Sequence, residues 1–160
     1  MSEQNIDRRT VVKGLAVAGA GVAIGANLNA LGQTMDKPIE IGELAKLDKD
    51  FASIPFELAD KTNAILVRVP EPKDEAMLKS GRVIKIDKVF LSASTLVCTH
   101  NGCKPGVPNA EGIMGCPCHG AQFNADGSVA KGPAKKPLAG IKLEVKAGKV
   151  MAVGMLEAMK

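Results

Sequence analysis

The chain has 160 residues, 46% of them hydrophobic and 24% charged, with a formal net charge of +4. That composition suits one globular domain with an appendage, and excludes a wholly disordered or wholly membrane-embedded protein. Aromatic residues amount to 2%, four Phe with no Trp and no Tyr, so the core must be aliphatic; with no basic run longer than a pair and few rings to stack on bases, a nucleic-acid partner is set aside.

The first 33 residues differ from the rest. A polar start leads to Arg8-Arg9, then Val11, Val12 and Lys13, and then an apolar run from Gly14 to Ala26 rich in Ala and Gly. The stretch "DRRTVVK" resembles the twin-arginine export signature, with Val11 and Val12 in its apolar slots and Lys13 in its basic one. The apolar run is shorter than the ~20 residues of a spanning helix, and it has no polar face. It therefore reads as a signal segment or weak anchor preceding the domain. Export by that route implies the outer, periplasmic face of the cytoplasmic membrane, attachment there through the N-terminus, and an environment that permits disulfides.

Residues 34–50 are charged and without a clear period, and read as a linker with a short helix around 42–47. From Phe51 the pattern becomes strand-like. "NAILVRV" (63–69) is a continuous apolar, β-branched run; "PEPKDEAMLKSG" (70–81) reads as an inserted loop; in "RVIKIDKVFLSA" (82–93) Ile84 and Ile86 alternate with Lys85 and Asp87 before Val89 to Leu91. "STLVC" and "GIMGC" each run into a cysteine. "GPAKKP" (132–137) is a Pro/Gly loop, and "IKLEVKAGKVMAVG" (141–154) reads as a hairpin turning at "KAGK". Short strands separated by turns predict an all-β antiparallel sandwich or barrel over 51–160.

All four cysteines and both histidines fall in "CTHNGC" (98–103) and "CPCHGAQF" (116–123). Tetrahedral zinc accepts two Cys and two His, but here each stretch mixes the two types, and zinc would leave Cys103 and Cys118 unused. Two structural disulfides would account for the cysteines and leave the histidines unexplained. A binuclear iron–sulfur centre with two thiolates on one iron and two imidazoles on the other needs mixed stretches.

The two stretches resemble the paired boxes of Rieske [2Fe–2S] proteins at every ligand position, and the resemblance continues through "NADGSVAKGPA" to Gly132, Pro133 and Ala134. It spans roughly residues 60–154 and implies a Rieske-type antiparallel β-sandwich with a small cluster-binding subdomain at one tip. It further implies Cys98, His100, Cys116 and His119 as cluster ligands, a Cys103–Cys118 disulfide, and a one-electron carrier whose exposed histidines pass the electron. The parent assembly implied is a quinol-oxidising cytochrome bc-type complex, respiratory or photosynthetic, with cytochrome b and cytochrome c type subunits. The alternative is an exported small subunit of another oxidoreductase, of the arsenite oxidase type, working with a larger catalytic subunit.

Around the ligands, Asn101, Gly120, Ala121, Phe123, Gly132 and Pro133 are the expected neighbours of the cluster. In high-potential members of the family, the positions of Ala121 and Phe123 carry Ser and Tyr, whose hydroxyls donate to the cluster sulfurs. Their absence implies a lowered potential. Asn101 stands where quinol-oxidising members carry an apolar residue, which makes this tip more polar.

Overall fold

The computed structural model describes residues 34–157, so the expected signal or anchor at 1–33 lies outside the described residues. Three antiparallel sheets make up the fold. One has strand order β1-β10-β9, a second β2-β3-β5-β4, and a third β6-β7-β8. The strands are β1 (Thr34–Glu43), β2 (Ser53–Glu57), β3 (Asn63–Val69), β4 (Val83–Ile86), β5 (Val89–Thr95), β6 (Ile113–Gly115), β7 (Gln122–Asn124), β8 (Val129–Lys131), β9 (Ile141–Lys146) and β10 (Lys149–Met155).

The four-stranded sheet is covered on both faces. Ile65, Val67 and Val69 of β3 belong to a core shared with Met114 and Phe123 of the third sheet and with Ala121 just before β7. Their neighbours Ala64 and Leu66 point the other way, into a core shared with Ile141, Leu143, Val150 and Ala152. Alternate residues of a strand face opposite sides, so a strand buried on both sides needs apolar residues throughout. That is why "NAILVRV" shows no alternation. In contrast, β9 alternates cleanly, with Ile141 and Leu143 buried and Lys142 and Glu144 exposed, as a sheet with one wet face requires.

Two expectations need correction. Residues 34–43 are not a linker but strand β1, which pairs with β10 from Thr34↔Gly154 to Glu43↔Lys149. Its register shifts twice, between Thr34 and Ile39 and between Glu40 and Gly42, and such bulges break the period of two that marks a strand in sequence. The short helix foreseen around 42–47 is present as a 3-10 turn at Leu44–Lys46. The 70–81 loop contains a single helical turn, α1 (Glu75–Lys79), capped by Asp74, whose carboxylate accepts from the Ala76 N–H.

The third sheet is fastened to the rest by Arg82. Its guanidinium is 4% exposed and donates to the carbonyls of Asp126 and Leu138, both at 3.0 Å. The Ser92 hydroxyl donates to the Arg82 carbonyl at 2.8 Å and lies 3.3 Å from that of Asp126. One buried cation thus joins the start of β4, the β7–β8 turn and the loop before β9. Truncating it strands two inward carbonyls, each an unmet acceptor. Arg82→Ala is expected to lower stability by about 3 kcal/mol in urea unfolding, and Arg82→Lys by less; an unchanged Arg82→Ala midpoint would contradict the clasp.

Candidate metal centre

The two cysteine–histidine stretches are loops of one design. The first leaves β5 after Thr95 and the second leaves β6 after Gly115. In the first, the Cys98 N–H donates to the Cys103 carbonyl at 2.8 Å and the Gly102 N–H to the Cys98 carbonyl at 2.7 Å. In the second, the Cys116 N–H donates to the Ala121 carbonyl at 2.7 Å and the Gly120 N–H to the Cys116 carbonyl at 3.1 Å. The bonds therefore span the same intervals in both loops. Gly102 and Gly120, each four residues after its cysteine, have φ of +75° and +70°. No atom lies within 4 Å of where their Cβ would be, so the left-handed backbone, not crowding, calls for glycine.

The loops face each other and are tied twice. The Gly106 N–H donates to the Gly115 carbonyl at 2.8 Å, and Cys103 is bonded to Cys118. The expected disulfide is therefore present. The other two cysteines are free and buried, at 2% exposure for Cys98 and 4% for Cys116. Burial, and then the adjacent Cys98 thiol, push the Cys116 thiol up. The two thiols are thus neighbours. His100 and His119 are exposed, with ring centroids 4.8 Å apart in an edge-to-face arrangement.

Ala121 and Phe123 are both 0% exposed and share a core with Cys98 and Cys116. Asn101, Gly120, Gly132 and Pro133 are at the surface. The Gly132–Pro133 bond is cis, and the loop it opens packs Ala134 into the same core. Thr99, which the sequence reading passed over, holds this third loop against the first: its hydroxyl donates to the Lys136 carbonyl at 2.6 Å. Asn109 was also missed. Its side-chain oxygen accepts from the N–H groups of Glu111 and Ile113 at 3.1 and 2.8 Å, shaping the turn before β6. Neither carries a signal in sequence, since one Thr or Asn looks like any other.

The donor set suits a binuclear cluster. Two thiols lie together inside and two imidazoles together outside, one of each from each loop, so that each iron of such a cluster would draw two protein ligands of one kind.

The Rieske [2Fe-2S] domain family matches residues 62–147, and the chain belongs to that family. Its cofactor is a Rieske-type [2Fe–2S] cluster and its chemistry is electron transfer. The chain is 47% identical over 55 residues to the cytochrome b6-f complex iron-sulfur subunit of Gloeobacter violaceus, covering 34% of this chain and 30% of that protein. It is 42% identical over 77 residues to the chloroplastic subunit of Arabidopsis thaliana, covering 47% and 34%. The matched stretch is thus about a third of the length of these relatives. Among solved structures, the plasma-membrane Rieske protein of Synechocystis PCC 6803 superposes with a TM-score of 0.54 at 27% identity, over 72% of this chain and 97% of that one. The soluble domain of Rieske protein II from Sulfolobus acidocaldarius shares the fold at 20% identity and a TM-score of 0.52, over 74% and 78%.

The Cys103–Cys118 bond links residues 15 apart in sequence, and a loop of that size is worth about 3 kcal/mol. Replacing both residues with Ala is expected to cost about that much in thermal or urea unfolding and to leave the cluster easily lost to chelators. Full stability and full cluster retention in the double variant would contradict the clasp.

Proposed function

We propose that the chain is the one-electron carrier of a quinol-oxidising cytochrome bc-type complex, respiratory or photosynthetic, working with cytochrome b and cytochrome c type subunits. Cys98 and Cys116 would hold one iron and His100 and His119 the other. The observation that carries the ligand assignment is the matched pair of loops, each offering a buried free cysteine and an exposed histidine. The likeness to cytochrome b6-f iron-sulfur subunits supports the choice of complex. The chain alone is not a catalyst: the redox step belongs to the assembly, and this subunit carries the electron.

A bound cluster of this type exchanges one electron at a potential above that of all-cysteine clusters, because neutral imidazoles replace two anionic thiolates. The chain's own residues set its surroundings. The disulfide holds the loops together, and Ala121 and Phe123 present the cysteines with apolar groups and no hydroxyl donor. A donor favours the more negative, reduced state, so this protein sits low in the Rieske range and suits a low-potential quinol. Ala121→Ser combined with Phe123→Tyr is expected to raise the midpoint in redox titration, by about 59 mV for each hydrogen bond that favours the reduced state by ~1.4 kcal/mol. An unchanged or lowered midpoint would refute the role given to these positions.

A second reading is favoured by Asn101, which is exposed at the tip beside His100: an exported small subunit of an oxidoreductase of the arsenite oxidase type, serving a larger catalytic subunit. Affinity purification of the full-length chain from solubilised membranes separates the two. A cytochrome b partner supports the first reading, and a large molybdenum-containing subunit the second.

In either assembly the twin-arginine motif would deliver the protein to the outer face of the cytoplasmic membrane. Arg8→Lys with Arg9→Lys is expected to leave it in the cytoplasm on cell fractionation. Unimpaired export would exclude that route.

A further inference from the structure

Resting on the electron-carrier reading, we propose that the cluster tip is a basic docking surface for an acidic redox protein, engaged through Lys104, Lys135 and Lys136.

Three exposed lysines, Lys104, Lys135 and Lys136, lie in the segments that carry or flank the two loops. Lys136 is fixed through its own carbonyl, which accepts from the hydroxyl of Thr99, the residue before His100. Lys135 precedes it in the same exposed loop. Lys104 follows Cys103, which is bonded to Cys118, the residue before His119. Its ammonium donates to the Asn63 side chain, and the Asn63 carbonyl accepts from the Leu96 N–H, so Lys104 stands against the strand that enters the first loop.

No carboxylate forms an ion pair with these lysines. Residues 96–140 carry four lysines against Glu111 and Asp126. Glu111 bonds to Asn109 in the turn before β6, and the half-buried Asp126 carboxylate accepts from the N–H and hydroxyl of Ser128. Every ion pair among the described residues lies outside this segment. The lysines of the tip are therefore without ion-pair partners, whereas Lys61, Lys79, Lys146 and Lys149 elsewhere are paired.

The tip also supplies apolar contact. Among the described residues the exposed large hydrophobic side chains are Val97 at 41% and Val107 at 55%. Val97 adjoins Cys98, and Val107 follows Gly106, the residue tied to the second loop. A small apolar contact within a basic rim around an electron exit matches a protein partner with complementary charge. Such complementarity acts mainly on the rate of encounter. An anionic membrane surface would use the lysines alone.

The test uses the full-length, cluster-loaded protein, whose Rieske EPR signal is recorded first. The reduced protein is mixed in stopped flow with an acidic c-type cytochrome and, separately, a basic one. With the acidic cytochrome, raising salt from about 0.01 to 0.15 M, which shortens the screening length from ~30 to ~8 Å, is expected to slow electron transfer by roughly tenfold. Lys135→Glu with Lys136→Glu is expected to slow it by a similar factor at low salt. Lys85→Glu with Lys88→Glu makes the same change of charge at the opposite end of β5 and is expected to have little effect. The basic cytochrome is expected to react slowly and to lose no rate with salt.

A rate with the acidic cytochrome that ignores salt, or equal slowing by the two double variants, would overturn the docking proposal while an intact EPR signal leaves the electron-carrier reading standing. So would lysine-dependent binding to anionic lipid vesicles without any salt effect on the cytochrome reaction. A missing EPR signal would overturn that reading, and this proposal with it.

Discussion

Two loops can grip one prosthetic group only if something holds them against each other, and here the Cys103–Cys118 bond does so. Each loop on its own is a few residues of irregular backbone closed by two hydrogen bonds. The bond sets the spacing between them, and with it the meeting of Cys98 with Cys116 and of His100 with His119. It also explains why only two of the four cysteines are free. The thiols are drawn inside and the imidazoles left outside, which separates the two ends of the site by polarity. In the proposed site the buried end would favour retention of the cluster, and the exposed end would be where the electron passes.

The rest of the chain serves to keep that clasp in place. The four-stranded sheet is buried on both faces, and its strand β5 runs directly into the first loop. The second loop grows from the small third sheet. Arg82 ties that sheet to the rest by binding the carbonyls of the β7–β8 turn and of the loop before β9, and Thr99 fastens the third loop at the tip. Arginine suits the first role because its planar fork reaches two carbonyls at once and keeps its charge when buried. Arg68 does similar work, donating to the carbonyls of Leu47 and Asp48.

The family and its cofactor were readable in sequence because the chemistry permits few alternatives: four cysteines and two histidines in two mixed stretches resemble one type of centre. Strand β3 was readable because burial on both faces leaves an unbroken apolar run, and the β9–β10 hairpin because one wet face leaves alternation. Strand β1 was hidden by its two register shifts. The common design of the two loops was hidden as well. It resides in backbone hydrogen bonds, while histidine comes two residues after cysteine in one loop and three after in the other. The Arg82 clasp depends on partners 44 and 56 residues away, which no local pattern announces.

The central claim is that the two loops hold one cluster through two thiolates and two imidazoles. Pulsed EPR of the reduced full-length protein tests it most directly. The account predicts a Rieske-type spectrum with couplings from two nitrogens bound to the reducible iron. A cluster signal without directly bound nitrogen, or a protein that binds a single mononuclear metal at these residues, would contradict it.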